Sequence, residues 1–158
     1  MKKNKFLSTK VFDGFSTVFR QWKADTTHCK YLHGYGVSFK IWFEGELDHR
    51  NWVWDFGGMK RAEGTIDGRS PKEWFDYMFD HTFIVAEDDP YLESFSKMDA
   101  AEVAQVRIVE ATGAEKFAEL VYNKVNEFIT SETEGRVKIA KVEFREHGKN
   151  SAIFEPGE

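Results

Sequence analysis

Between residues 37 and 43 the chain alternates apolar and polar side chains without a break. Val37, Phe39, Ile41 and Phe43 fall on one side and Ser38, Lys40 and Trp42 on the other. That period of two predicts a strand with one face against a core. Phe15, Thr17 and Phe19 give a second such strand over Val11 to Phe19. A short run, Trp52-Val53-Trp54, follows the turn-forming Gly45-Glu46-Leu47-Asp48, and the natural expectation is a hairpin with the preceding strand. Later, Gln105 to Glu110 reads as a strand. Arg136 to Glu146 reads as another, with its apolar parity jumping from Val137 and Ile139 to Val142 and Phe144, as a bulge would cause. Ser151 to Phe154 adds a short last strand.

Two segments change to helical spacing. Ser70-Pro71-Lys72-Glu73 has a capping Ser, a Pro at the first helical position and an acidic first turn. Trp74, Phe75, Met78 and Phe79 then form an apolar stripe. From Gly113 to Ile129, Ala114, Phe117, Ala118, Val121, Val125 and Phe128 share one face, and Thr133 to Gly135 closes the element. Asp55 is positioned to cap a short helix through Lys60, which two glycines weaken. Residues Glu87 to Pro90 read as a turn, and Arg61 to Arg69 as a lid or a long loop. Strands, then helices, then strands predict an α+β domain with helices on one face of an antiparallel sheet.

The 158 residues fit a single domain over 1–158. Aromatic residues make up 16% of the chain, fifteen of them Phe, so a deep core or a subunit interface is needed to cover them. The net charge is −5, and the only basic block is the short Lys2, Lys3, Lys5 cluster. Nucleic acid is therefore not an expected partner, because phosphate binding needs a concentrated cationic face. The lone Cys29 allows no intramolecular disulfide, and no apolar run reaches the length of a membrane span. A cytoplasmic protein that does not engage membranes is expected.

Reactive side chains concentrate in Thr27-His28-Cys29-Lys30-Tyr31-Leu32-His33-Gly34-Tyr35. A cysteine near histidines can act as a nucleophile or base once its thiolate is favoured. Asp80-His81 ends the Trp74–Phe79 stripe, and a carboxylate that orients a histidine sets its tautomer and basicity. Glu146 has the parity of Val142 and Phe144 and so projects toward the apolar face, where a carboxylate needs an Arg or the N–H pair of a ligand. His49 and His147 are given no role.

In order along the chain, these pieces resemble the 6-pyruvoyl- and 6-carboxy-tetrahydropterin synthase family of the tunnelling fold. Cys29 to Tyr35 resembles its Cys-x-x-x-His-Gly-His segment, and Val53 to Lys60 its Val-x-Asp-Phe-x-x-Leu-Lys stretch. Phe79-Asp80-His81 is similar to Leu-Asp-His, Gly113-Ala114-Glu115 to a Pro-Thr-x-Glu helix start, and Val142 to Glu146 to the strand that carries the pterin-anchoring glutamate. The resemblance implies a four-stranded antiparallel sheet with two helices on one face, assembled as a homo-oligomer (trimer or hexamer) with sites between subunits. It implies Cys29, Asp80 and His81 as a catalytic proton-transfer triad, and Glu146 with Glu115 as the binding groups for a pterin or related heterocycle.

The family also binds zinc through three histidines, one on the first strand and two in His-Gly-His. Here the matching positions are Phe19, His33 and Tyr35, so His33 alone is retained. A catalytic zinc normally takes three protein ligands. No metal cofactor is therefore expected, the one remaining route to zinc being His28 with Cys29 and His33. The resulting expectation is proton transfer on the side chain of a pterin or guanine-type heterocycle without zinc, in a carbon–oxygen lyase-like, aldolase-like or epimerase-like reaction. The dihydroneopterin aldolases, tunnelling-fold enzymes that use no metal, are the fold-level precedent. The alternatives are a non-catalytic pterin- or purine-binding homologue and a purely structural ring-forming protein.

Overall fold

The computed structural model describes residues 4–61 and 65–158. Strand β1 (Phe6–Phe19) pairs antiparallel with β2 (His33–Gly45), and the two are joined by a connection that contains a 3-10 turn, His28–Lys30. Next come the single-turn helix α1 (Gly58–Arg61), α2 (Pro71–Phe79) and β3 (Thr82–Ala86). The chain continues through α3 (Leu92–Ala100), β4 (Val106–Val109), α4 (Ala114–Glu132), β5 (Val137–His147) and β6 (Asn150–Phe154). The strands form one sheet in the order β4-β3-β1-β2-β5-β6.

The α+β class and the two helices on one face hold, but the sheet has six strands, not four, and is mixed. β3 runs parallel to both β1 and β4, because α2 and α3 carry the chain across between them. The sequence carries no alternation over Thr82–Ala86, since all five residues are buried. A strand covered on both faces shows no period of two.

The core lies between the sheet and helices α2 and α4. Phe39 on β2 packs against Phe79 at 4.7 Å, Phe144 at 5.0 Å and Phe75 at 5.3 Å between ring centroids. Phe117 of α4 reaches Phe144 at 5.2 Å. Burying each such ring is worth about 1.5–3 kcal/mol relative to exposing it. The core thus accounts for most of the aromatic excess. Phe83, in register with Val18, faces the other side of the sheet, where Phe95 of α3 covers it at 4.8 Å.

Two bulges keep apolar side chains pointing inward. In β5 the register with β2 shifts between Ile139 and Lys141, so Ile139 and Val142 are both buried, as the parity jump predicts. In β1 the shift falls between Phe12 and Phe15, with Gly14 at φ +82°, and both phenylalanines face the core. The helix starts also follow expectation. Ser70 Oγ accepts from the Glu73 N–H, and Asp55 accepts from the Gly57 N–H ahead of α1. A Cβ at Gly58 would sit 2.4 Å from the Trp54 ring, so the glycine permits that close approach.

The expected hairpin at Trp52–Trp54 does not form. Both edges of β2 are already paired, by β1 and β5. The Asp48 carboxylate instead accepts from the backbone N–H groups of Arg50 and Trp52, which closes a compact loop. In the stretch after Arg61, residues 62–64 lie outside the described residues, as do Lys2 and Lys3 of the basic cluster. Ile66 and Arg69 form a tight bridge around Asp67-Gly68, both at positive φ. Among the described residues, no helix is long and apolar enough to cross a membrane.

Candidate functional site

The β1–β2 connection is clamped from several sides. Asp89, buried in the turn after β3, holds the Arg20 guanidinium through two contacts, Nε–Oδ2 at 2.9 Å and Nη2–Oδ1 at 2.6 Å. Arg20 also donates to the Lys30 carbonyl, and Thr112 donates to the Arg20 carbonyl just ahead of α4. The Thr27 side chain caps the 3-10 turn by accepting from the Cys29 N–H, and the Cys29 carbonyl accepts from Gln21 N at 2.8 Å. These bonds leave the Cys29 thiol free and exposed.

On the neighbouring strands, Phe19 stands opposite His33, and Tyr35 opposite Thr17. The Tyr35 ring stacks on Phe19 at 4.3 Å with an interplanar angle of 18°. Phe117 meets Phe19 edge-on at 4.9 Å and fixes it from the helix side. The Tyr35 hydroxyl pKa is raised first by burial and then by the nearby charges of Glu146 and Cys29. Tyr35 therefore stays a neutral phenol within the influence of a carboxylate and a thiol. Glu146 is half-buried on the side of β5 that carries Phe144, and among the described residues it has no hydrogen-bond or ion-pair partner. Glu115, in the first turn of α4, is exposed and makes no contact with Glu146.

Asp80 and His81 form a second group. Asp80 Oδ1 accepts from Ser16 N at 3.1 Å, and Oδ2 lies 3.6 Å from His81 Nε2. His81 takes a left-handed backbone, φ +57°, an uncommon state for a non-glycine residue. Three contacts hold that turn: its N–H donates to Ser16 O at 2.6 Å, its carbonyl accepts from Gln105, and Asp80 grips the strand. The imidazole itself is 78% exposed, so it is aimed outward, away from its own core. Adjacent in sequence, the pair is thus also joined in space. Neither residue touches Cys29, so one chain does not close the expected triad.

The residues at the family's metal positions do not fit a zinc ion. Phe19 offers no donor atom, and its ring covers one face of Tyr35. His33 is exposed, with Nδ1 against the Tyr31 carbonyl at 2.8 Å, and His28 lies beside the Tyr31 ring. Among the described residues, no three His, Cys, Asp or Glu side chains gather to hold a metal. Two features were not assigned from the sequence: the Arg20–Asp89 clamp and Tyr35 as a polar group of the site. The first carries no local signal, because 69 residues separate its partners. The second was signalled by parity, since Tyr35 lies two residues beyond His33 on the same strand.

A curled mixed sheet with α2 and α4 on one face defines an α+β protein of the tunnelling fold. Residues 9–157 match the family model described as 6-pyruvoyl tetrahydropterin synthase, and the chain belongs to that family. Solved structures agree on the fold. An uncharacterized protein, WS1659, from Wolinella succinogenes superposes with a TM-score of 0.79 at 20% identity, covering 98% of this chain and 100% of its own. The 6-pyruvoyl tetrahydropterin synthase of Caenorhabditis elegans gives 0.63 at 15% identity, covering 99% of each chain. That of Plasmodium falciparum gives 0.61 at 14% identity, covering 95% of this chain and 98% of its own. No curated protein sequence matches the chain significantly.

Proposed function

We propose that this protein is a pterin-synthase-like enzyme that moves protons on the side chain of a pterin or related guanine-type heterocycle without zinc. One observation carries the reading: Glu146 is a half-buried carboxylate with no hydrogen-bond or ion-pair partner among the described residues, and it acts electrostatically on Tyr35, as Cys29 does. A partly buried carboxylate gains most from paired donors, and the adjacent N–H groups of an amino-pyrimidine edge supply two at its spacing. With the ring held there, Cys29 is the general base or nucleophile. Glu115 supports the bound ring from the start of α4. Asp80 orients His81, which completes the proton relay from a neighbouring copy, since the pair faces outward and does not reach Cys29 of its own chain. The protein is accordingly a homo-oligomer, a trimer or hexamer, with its sites between copies.

The test is binding and turnover of a panel of pterins and guanines by the parent protein and two variants. Cys29→Ala is expected to abolish turnover while binding persists, and Glu146→Ala to abolish binding. Full activity in both variants would refute the assignment. A second reading, a homologue that binds the heterocycle without reacting it, draws on the exposure of Cys29 and its separation from His81 within one chain. Tight binding with no product from any compound of the panel would favour it.

A further inference from the structure

We propose that Tyr35 is a catalytic hydrogen-bond donor of this site, acting on the side-chain oxygen of the bound heterocycle; the assignment rests on the pterin-site reading above. Its basis is the convergence of three positions. Residues 19 and 33 face each other across β1 and β2, and residue 35 lies one pleat further in. The rings of Phe19 and Tyr35 are 4.3 Å apart, and those of His33 and Tyr35 6.1 Å. The positions at which the family model's members would place metal ligands are thus together here, occupied by a phenyl ring, an imidazole and a phenol.

Phe19, pinned by Phe117, fixes the Tyr35 ring by stacking on it and leaves the hydroxyl as the polar atom at this point. Among the described residues that hydroxyl has no hydrogen-bond partner, although Tyr35 is half-buried. Glu146 likewise has none, and the Cys29 thiol is free. Tyr35 thus lies within electrostatic reach of two groups of complementary chemistry, a carboxylate that only accepts and a thiol that can give up its proton, while its own phenol donates. A half-buried phenol with no protein partner among the described residues is open to a ligand's acceptor.

The step balances without a metal or redox partner. The Cys29 thiolate takes the proton from the carbon next to a side-chain carbonyl. The C–H electron pair becomes the new C=C bond while the carbonyl π pair moves onto oxygen, and the Tyr35 O–H donates to that oxygen. Return of a proton from the thiol to the same carbon regenerates the ketone, so the net event is proton exchange, or inversion, at that carbon. A preorganised donor at the atom where charge develops is the kind of group whose removal costs about 10²–10³-fold in rate.

The experiment has two arms. In the first, sepiapterin, a pterin with a side-chain ketone, is incubated with the protein in D₂O, and deuterium entry beside the ketone is followed by NMR alongside a binding titration. Tyr35→Phe is expected to slow exchange about 10²-fold, with affinity held within about threefold, as for a group acting mainly in the transition state. In the second, the double variant Phe19→His with Tyr35→His is dialysed against zinc and its metal content measured. About one zinc per chain is expected, the usual result for a three-histidine set, with His33 Nε2 free while its Nδ1 faces the Tyr31 carbonyl. A folded double variant without metal would show that the three positions do not converge. Equal exchange by Tyr35→Phe and the parent would overturn the donor role and leave the pterin reading standing. A parent protein that neither binds nor exchanges the probe would remove that reading and the role of Tyr35 with it.

Discussion

At Asp89 a carboxylate leaves water almost completely, with 2% of its side chain exposed, and meets an Arg20 that is 18% exposed. Burial pushes the Asp89 pKa up, but the Arg20 guanidinium and the Tyr91 N–H outweigh it and hold the group below its ordinary 3.8. The sign follows: a depressed folded pKa gives stability that is present above about pH 3.8 and lost as pH falls through the folded value. Asp89→Ala leaves Arg20 partly buried and unpaired, and should cost ~3–5 kcal/mol, measured by urea unfolding at pH 7. The variant should also lose part of the parent's acid sensitivity below about pH 3.8, the side set by that direction of shift. Equal stability of variant and parent at pH 7 would mean that the pair is solvated. None of this was legible in the sequence, because Arg20 and Asp89 are ordinary surface residue types made neighbours by the pairing of β1 with β3. Glu146 was legible, because a charge at an inward parity position is an anomaly that a one-dimensional pattern reveals.

Elements were readable where a single face is buried. α4 begins one residue after the expected Gly113 and runs three beyond Ile129, with the named apolar face inside. Its end is fixed by Gly135 at φ +83°, whose N–H donates to Thr130 O at 2.8 Å. At the start of α2, Ser70 is 1% exposed and caps Glu73 N at 3.2 Å. Ser70→Ala should cost ~1 kcal/mol, seen as a lower thermal midpoint, whereas Ser70→Asp should retain most of the cap. No loss in the alanine variant would mean that water replaces the hydroxyl. Elements with other environments were silent. β3 is buried on both faces, and α3 has no fully buried residue, so neither carries a clean period. The Trp52–Trp54 alternation looked like a strand, but no edge of β2 was left to receive it.

Across the whole molecule, the sheet ends in two short strands, β4 and β6, each with a strand neighbour on one side only among the described residues. Ile108 on β4 is 55% exposed and Ile153 on β6 is 50% exposed, which are apolar residues at edges that monomeric proteins tend to protect. Light scattering at micromolar concentration should therefore give a mass well above the 18.4 kDa of one chain. Ile153→Lys should reduce that mass and, on the intersubunit reading, reduce turnover in parallel. A monomeric parent protein with full activity would contradict both expectations. By itself, the sequence determined the α+β class, the two helices on the core face, the β5 bulge and the inward Glu146, because each leaves a local pattern of polarity. It also showed that Phe19 can ligate no metal, since residue type alone rules out a phenyl donor. Only the tertiary structure decided the six-strand mixed order, the Arg20–Asp89 clamp, the stacking of Phe19 on Tyr35, and the separation of Cys29 from His81. Those depend on which distant segments pair, and pairing is set by the packing of the whole core, which no local period records.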